Sequence, residues 1–73
     1  MSVTHMNINN VLKENIISWI SNDGYDLADV KYMIERANID FDKSTNIVTI
    51  KYENNVEDVI KVDGKLQIID HIK

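Results

Sequence analysis

No cysteine occurs in this sequence, so neither a disulfide framework nor a thiolate metal site is available to it. The two histidines, His5 and His71, are far apart and too few to build a zinc site. Proline is absent as well, and the only glycines are Gly24 and Gly64. Each glycine has a turn to make, which leaves none for a phosphate-cradling loop. Apolar runs stop at pairs and triples such as Ile16-Ile17, far short of the roughly 20 residues that span a bilayer. The opening MSVTHMNINN has no basic region followed by an apolar one, so it does not read as a secretory signal, and a cytoplasmic location is expected. Residues 1–6 read as a flexible leader or an expression remnant ahead of a start at Met6.

Basic residues are also few. Eight Lys and Arg stand against twelve Asp and Glu, for a net charge of −4. That balance disfavours non-specific nucleic-acid binding, which depends on neutralising phosphates. The abundance of Ile, Asn, Lys and Asp follows AT-rich codon usage and associates the chain with a low-GC bacterium or one of its phages.

What is present is a globular pattern. At 44% hydrophobic and 27% charged, the chain has the apolar content to fold rather than remain disordered. Its 73 residues make one domain, of a size that buries only about 60% of the surface its unfolded chain exposes. Without staples, the core must stabilise it alone or with help from a second subunit.

Residues 9–22 are expected to form a helix, with Ile8, Leu12, Ile16, Trp19 and Ile20 along one apolar stripe and Lys13, Asn15, Ser18 and Ser21 mostly elsewhere. Gly24 follows where helices often end in a left-handed residue. Asp26 then caps a second helix over residues 27–37, with Asp29 at the third helical position and Tyr25 and Val30 placed as a hydrophobic staple. Leu27, Val30, Ile34 and Ala37, with Met33 beside them, form its expected buried stripe, and Asn38 its stop.

From there the period changes to 2. IDFD, IVTIKYE, VEDVIKV and KLQIIDHI read as four strands, separated by KSTN, NN and a two-residue type I′ turn at Asp63-Gly64. Links this short give an antiparallel meander. Alternation points Ile39, Phe41, Val48, Ile50, Tyr52, Ile60, Val62, Leu66 and Ile68 toward the helices, and Asp40, Asp42, Thr49, Lys51, Lys61 and Gln67 away from them. The expected fold is a two-layer α+β domain, an N-terminal helical hairpin on one face of a three- to four-stranded antiparallel meander, in the order ααββββ.

Several motifs fail on inspection. WISNDGYDLADVKYMIERAN resembles a helix-turn-helix, but the supposed recognition helix leads with Asp26 and Asp29, just after Asp23. Carboxylates facing phosphates repel, so a plain helical hairpin is the better reading. DFDKST spaces Asp40, Asp42 and Ser44 like a calcium loop, yet it lacks the glycine and has Lys51 at the twelfth position. SNDGYD has the glycine without the preceding ligands, and both stretches read as Asx-rich turns. No cofactor or metal is called for. Catalysis is not expected either. Ser18, Ser21 and Ser44 lack a nearby base, and His71 reads as an exposed strand end beside Asp70. Carboxylate pairs drawn from Asp40, Asp42, Glu53, Glu57 and Asp58 look like solvated strand ends.

Two surface features remain. Ile47, Val59 and Ile69 are expected on the outer sheet face, one per strand, as an apolar row suited to a partner protein or a second copy of the chain. Trp19 belongs to the core stripe but is also the type of residue that anchors interfaces. Acidity gathers at Asp23, Asp26 and Asp29, and again at Glu53, Glu57 and Asp58, as solvated surface or as an imitation of a phosphate backbone. The expectation is a small acidic protein-interaction module, a regulator that occludes a surface of a larger protein. The alternative is a small DNA-binding regulator using Lys31, Arg36, Lys51 and Lys61.

Overall fold

A computed structural model describes residues 3–73, with side chains described over residues 10–73. Helix α1 (Val3–Ser21) and helix α2 (Leu27–Arg36) precede strands β1 (Asn38–Asp42), β2 (Ile47–Lys51), β3 (Glu57–Val62) and β4 (Ile68–His71). The strands form one antiparallel sheet in sequence order. The expected ααββββ architecture is therefore present. Helix α1 starts six residues earlier than the apolar stripe suggested, so the stretch read as a leader falls partly in α1 and partly, at residues 1 and 2, outside the described residues.

Among the described residues, eight side chains are fully buried: Leu12 and Ile16 from α1, Val30 and Ile34 from α2, Val48 and Ile50 from β2, Ile60 and Val62 from β3. The i, i+4 pair of each helix meets the inward residues of the two central strands, where the periods of 3.6 and 2 bring apolar side chains to one interface. Trp19, Ile20, Ala37, Ile39, Phe41, Tyr52, Leu66 and Ile68 pack around that centre. Ile8, expected in the α1 stripe, lies outside the residues whose side chains are described. Leu27 and Met33 depart from the expected burial, being 52% and 43% exposed. A ten-residue helix presents one covered i, i+4 pair to the sheet, and residues flanking that pair remain at its border.

The chain direction between α1 and α2 is set by Gly24, whose φ of +102° is one that side-chain-bearing residues rarely adopt. Asp26 caps α2 as expected, its carboxylate accepting from the Ala28 N–H at 3.3 Å. At the far end the Ala37 N–H donates to the Ile34 carbonyl, and Ala37 is already extended, so the helix stops one residue before the expected boundary.

The β1–β2 and β2–β3 turns carry their positive φ on Asn46 and Asn55, a residue type that tolerates this conformation. Asp42 Oδ1 accepts from the N–H and hydroxyl of Ser44 at 3.0 and 2.7 Å, the Asx turn expected for DFDKST. Those bonds hold the Asp42 carboxyl below its ordinary range.

The β3–β4 link differs from expectation. A type I′ turn needs positive φ at both central residues, but here the positive φ falls on Leu66 (+64°). The connection is a five-residue loop from Asp63 to Gln67, closed by the Asp63 N–H donating to the Gln67 carbonyl. The cause is the Asp63 side chain, whose Oδ1 accepts from the Lys65 and Gln67 N–H groups at 2.8 and 3.0 Å. These bonds compete with the tight hairpin and lower the Asp63 pKa. Strand β4 is consequently shorter than KLQIIDHI implied.

Candidate functional site

The loop sends β4 back with a bulge. Val62 pairs with Ile68 and Lys61 with Asp70, which leaves Ile69 as the extra residue, and Ile60 pairs with His71. Because Ile60 is a buried inward residue, its partner His71 lies on the helix side of the sheet. There its ring meets Trp19 edge to face, centroids 5.0 Å apart at 83°. Its Nε2 lies 3.1 Å from Asp58 Oδ1 and 3.1 Å from the Lys73 carbonyl. Asp58 pairs with the buried Ile50 and so also faces the helices. Its second oxygen accepts from the Tyr52 hydroxyl at 2.7 Å. Burial, reinforced by that carboxylate, pushes the Tyr52 phenol well above the ordinary tyrosine range. His71, expected as an uninvolved exposed strand end, is thus one member of a Trp19–His71–Asp58–Tyr52 chain of contacts, although half of its side chain remains exposed.

This chain of contacts forms one wall of a groove of about 660 Å³ between the Gly24 turn, α2 and the β2–β3 turn. The groove is large enough for a bound group, since ligand sites run to about 300–1,000 Å³. Tyr25, Tyr32 and Met33 line its helical side, and Val56 lines the turn side. Five carboxylates also line it: Asp23, Asp26, Asp29, Glu53 and Asp58. The two acidic stretches, some thirty residues apart in sequence, meet at one site. No lysine or arginine lines it. Of the acidic residues nominated from sequence, Glu57 alone is elsewhere, pairing with Lys51 across the strands. Trp19 is in the groove wall and packs against the core at once.

Three of these carboxylates already have partners within the molecule. Asp26 caps α2 and Asp58 holds Tyr52 and His71. Glu53 accepts from Arg36 Nε at 3.1 Å. The Arg36 guanidinium also lies 5.1 Å from the Tyr32 ring centroid, and Glu53 raises its pKa further. Both members of this pair are solvent-exposed, so it adds little stability. In it one guanidinium meets both an aromatic ring and a carboxylate.

The other nominated surface does not assemble as expected. Ile47 is opposite Lys61, and Val59 is opposite Thr49. Ile47 and Val59 are therefore diagonal neighbours, and Lys61 with its partner Asp70 interrupts the row before Ile69. Ile47 and Val59 are half-buried, and Ile69 is 57% exposed. Ile69 is the extra residue of the bulge and has no cross-strand partner in β3. The residues of the DNA-binding alternative are also divided, with Lys31 and Arg36 on α2 and Lys51 and Lys61 on the sheet.

Among the described residues, no cluster of three or more His, Asp or Glu is placed to hold a metal ion. No described helix is long and apolar enough to cross a membrane. No protein family, curated protein or solved structure shows a significant match to this chain.

Proposed function

We propose that this chain is a small non-enzymatic interaction module that binds a larger protein through the groove at the turn end of its helical hairpin, and regulates that protein by covering part of its surface. The observation that carries the reading is the convergence of Trp19, Tyr25, Tyr32 and Met33 with both acidic stretches on one concavity. Exposed aromatic and methionine side chains supply contact area, and a charged border supplies steering and orientation. Among the described residues, the hydroxyls that line the groove are the phenols of Tyr25, Tyr32 and Tyr52, and that of Tyr52 donates to Asp58.

The test is affinity capture from the source cell with three baits: the native chain, Met33→Lys in the groove, and Val59→Lys on the outer sheet face. A specific protein held by the native chain and by Val59→Lys, and lost with Met33→Lys, supports the groove. Loss with Val59→Lys alone moves the binding face to the sheet. Retention of nuclease-sensitive nucleic acid by the native chain favours the DNA-binding reading, and no specific retention overturns the interaction reading.

A further inference from the structure

The partner's chemistry follows from which groove carboxylates remain available. Asp26, Glu53 and Asp58 are engaged by groups of the chain itself. Asp23 and Asp29 have no hydrogen-bond or ion-pair partner among the described residues, and both line the groove with Tyr25. Tyr25 is 65% exposed. An exposed tyrosine and two carboxylates on one concavity offer π surface and negative charge together, a combination complementary to an organic cation. Two other lining residues, Tyr32 and Glu53, are met by Arg36 of the chain itself, at 5.1 Å from the ring centroid and 3.1 Å from the carboxylate. The molecule therefore contains one example of a guanidinium held by a tyrosine and a carboxylate, and Tyr25 with Asp23 and Asp29 supplies the same residue types.

We propose that the groove receives a basic segment of a partner protein and places an arginine side chain at Tyr25, between Asp23 and Asp29. This rests on the groove being the binding face. Arginine is favoured over lysine because its planar guanidinium can stack on the phenol ring while its edge donates to the carboxylates, whereas an ammonium offers a compact point charge. Carboxylates without a basic neighbour in the groove also accelerate encounter with a cationic segment.

Trp19 makes the test direct, because it is the single tryptophan of the chain and lines the groove. The full chain is titrated with an eight-residue peptide alternating arginine and glycine, and with matched lysine and glutamine peptides, while its fluorescence is followed. The expected result is a saturable change with the arginine peptide, a weaker one with lysine and none with glutamine. Affinity should fall as salt rises. Asp23→Asn with Asp29→Asn should weaken the arginine peptide about tenfold at low salt, and Tyr25→Leu about two- to fivefold. Asp40→Asn with Asp42→Asn removes the same charge from the strand remote from the groove and should change affinity by less than about twofold. Equal weakening by the two double variants would show general attraction to an acidic protein and overturn the proposal, as would no saturation with the arginine peptide. A partner that the capture experiment traces to the groove, combined with failure of these peptides, would refute the arginine assignment while leaving the groove as the binding face. Peptide binding that the groove variants weaken, without a captured partner, would leave the arginine site standing and overturn the reading of the chain as a module that binds a larger protein.

Discussion

Asn15 offers a sharp test of how the two layers are joined. It is half-buried on α1, and its Nδ2 donates to the Leu66 carbonyl at 2.7 Å, 51 residues along the chain. Leu66 holds a φ of +64°, a conformation costing a side-chain-bearing residue about 1–2 kcal/mol. Its side chain packs on the core, and its N–H donates to the Asp63 carbonyl at 3.0 Å. Asn15 satisfies the remaining polar group. Asn15→Ala loses a hydrogen bond worth about 0.5–1.5 kcal/mol net, and an unpaired buried carbonyl would add to that loss. Because the site is half-buried, water relieves part of the penalty, giving about 1–2 kcal/mol. Alanine's better helix propensity returns up to about 0.7 kcal/mol. The expected net destabilisation is about 1 kcal/mol, equivalent to a Tm about 4–8 °C lower for a domain of this size. Thermal unfolding measures the first effect. Faster amide exchange at Gln67, whose N–H closes the same loop, locates it. An unchanged midpoint with unchanged exchange at Gln67 would refute the idea that this bond ties the loop to the helix.

Two further outcomes follow from the caps and turns. Asp26→Ala should destabilise the domain by about 1 kcal/mol in denaturant unfolding, because the Ala28 N–H loses its acceptor; an unchanged midpoint would mean that the cap contributes nothing. The Asp63 carboxyl has a folded pKa below its ordinary value, through its bonds to the Gln67 and Lys65 N–H groups. Its contribution is therefore present above the unfolded value of about 3.9 and is lost as pH falls through the folded value. Asp63→Asn should flatten the acid limb of the stability–pH curve below about pH 4, and superimposable acid limbs would refute the assignment.

Most of the fold was legible because its signals are local. The Leu12–Ile16 and Val30–Ile34 spacings, the Asp26 cap, Gly24 and the alternation in β2 and β3 each depend on residues a few positions apart, and the structure agrees with each. The acidic stretches were also legible as two clusters. Their convergence was not, since it depends on the Gly24 turn and the β2–β3 turn lying at the same end of the domain. The place of Tyr25 and Tyr32 in the groove lining was hidden for a related reason, because helical period alone does not tell a solvated face from the border of a concave site. Asn15 was placed away from the apolar stripe for its polarity, and only the position of Leu66 explains why a polar residue suits a half-buried helix position.

The β4 bulge had the largest consequence for the site. Strict alternation continued from the inward Ile68 would make Asp70 the next inward residue and turn His71 outward. Asp70 would then approach the groove end already occupied by Asp58, setting two carboxylates side by side where each disfavours ionisation of the other. One extra residue at Ile69 reverses the phase beyond it, so that Asp70 pairs with Lys61 and His71 with Ile60. The carboxylate goes to a lysine on the outer face, and the imidazole goes to Asp58 and Trp19. The same irregularity weakens the outer apolar row, because Ile69 is left without a cross-strand partner and Asp70 takes the place opposite Lys61. A single irregularity thus completes the wall of the groove and weakens the competing surface. A period-2 reading could not anticipate it, since nothing in IIDH marks which of its residues is the extra one.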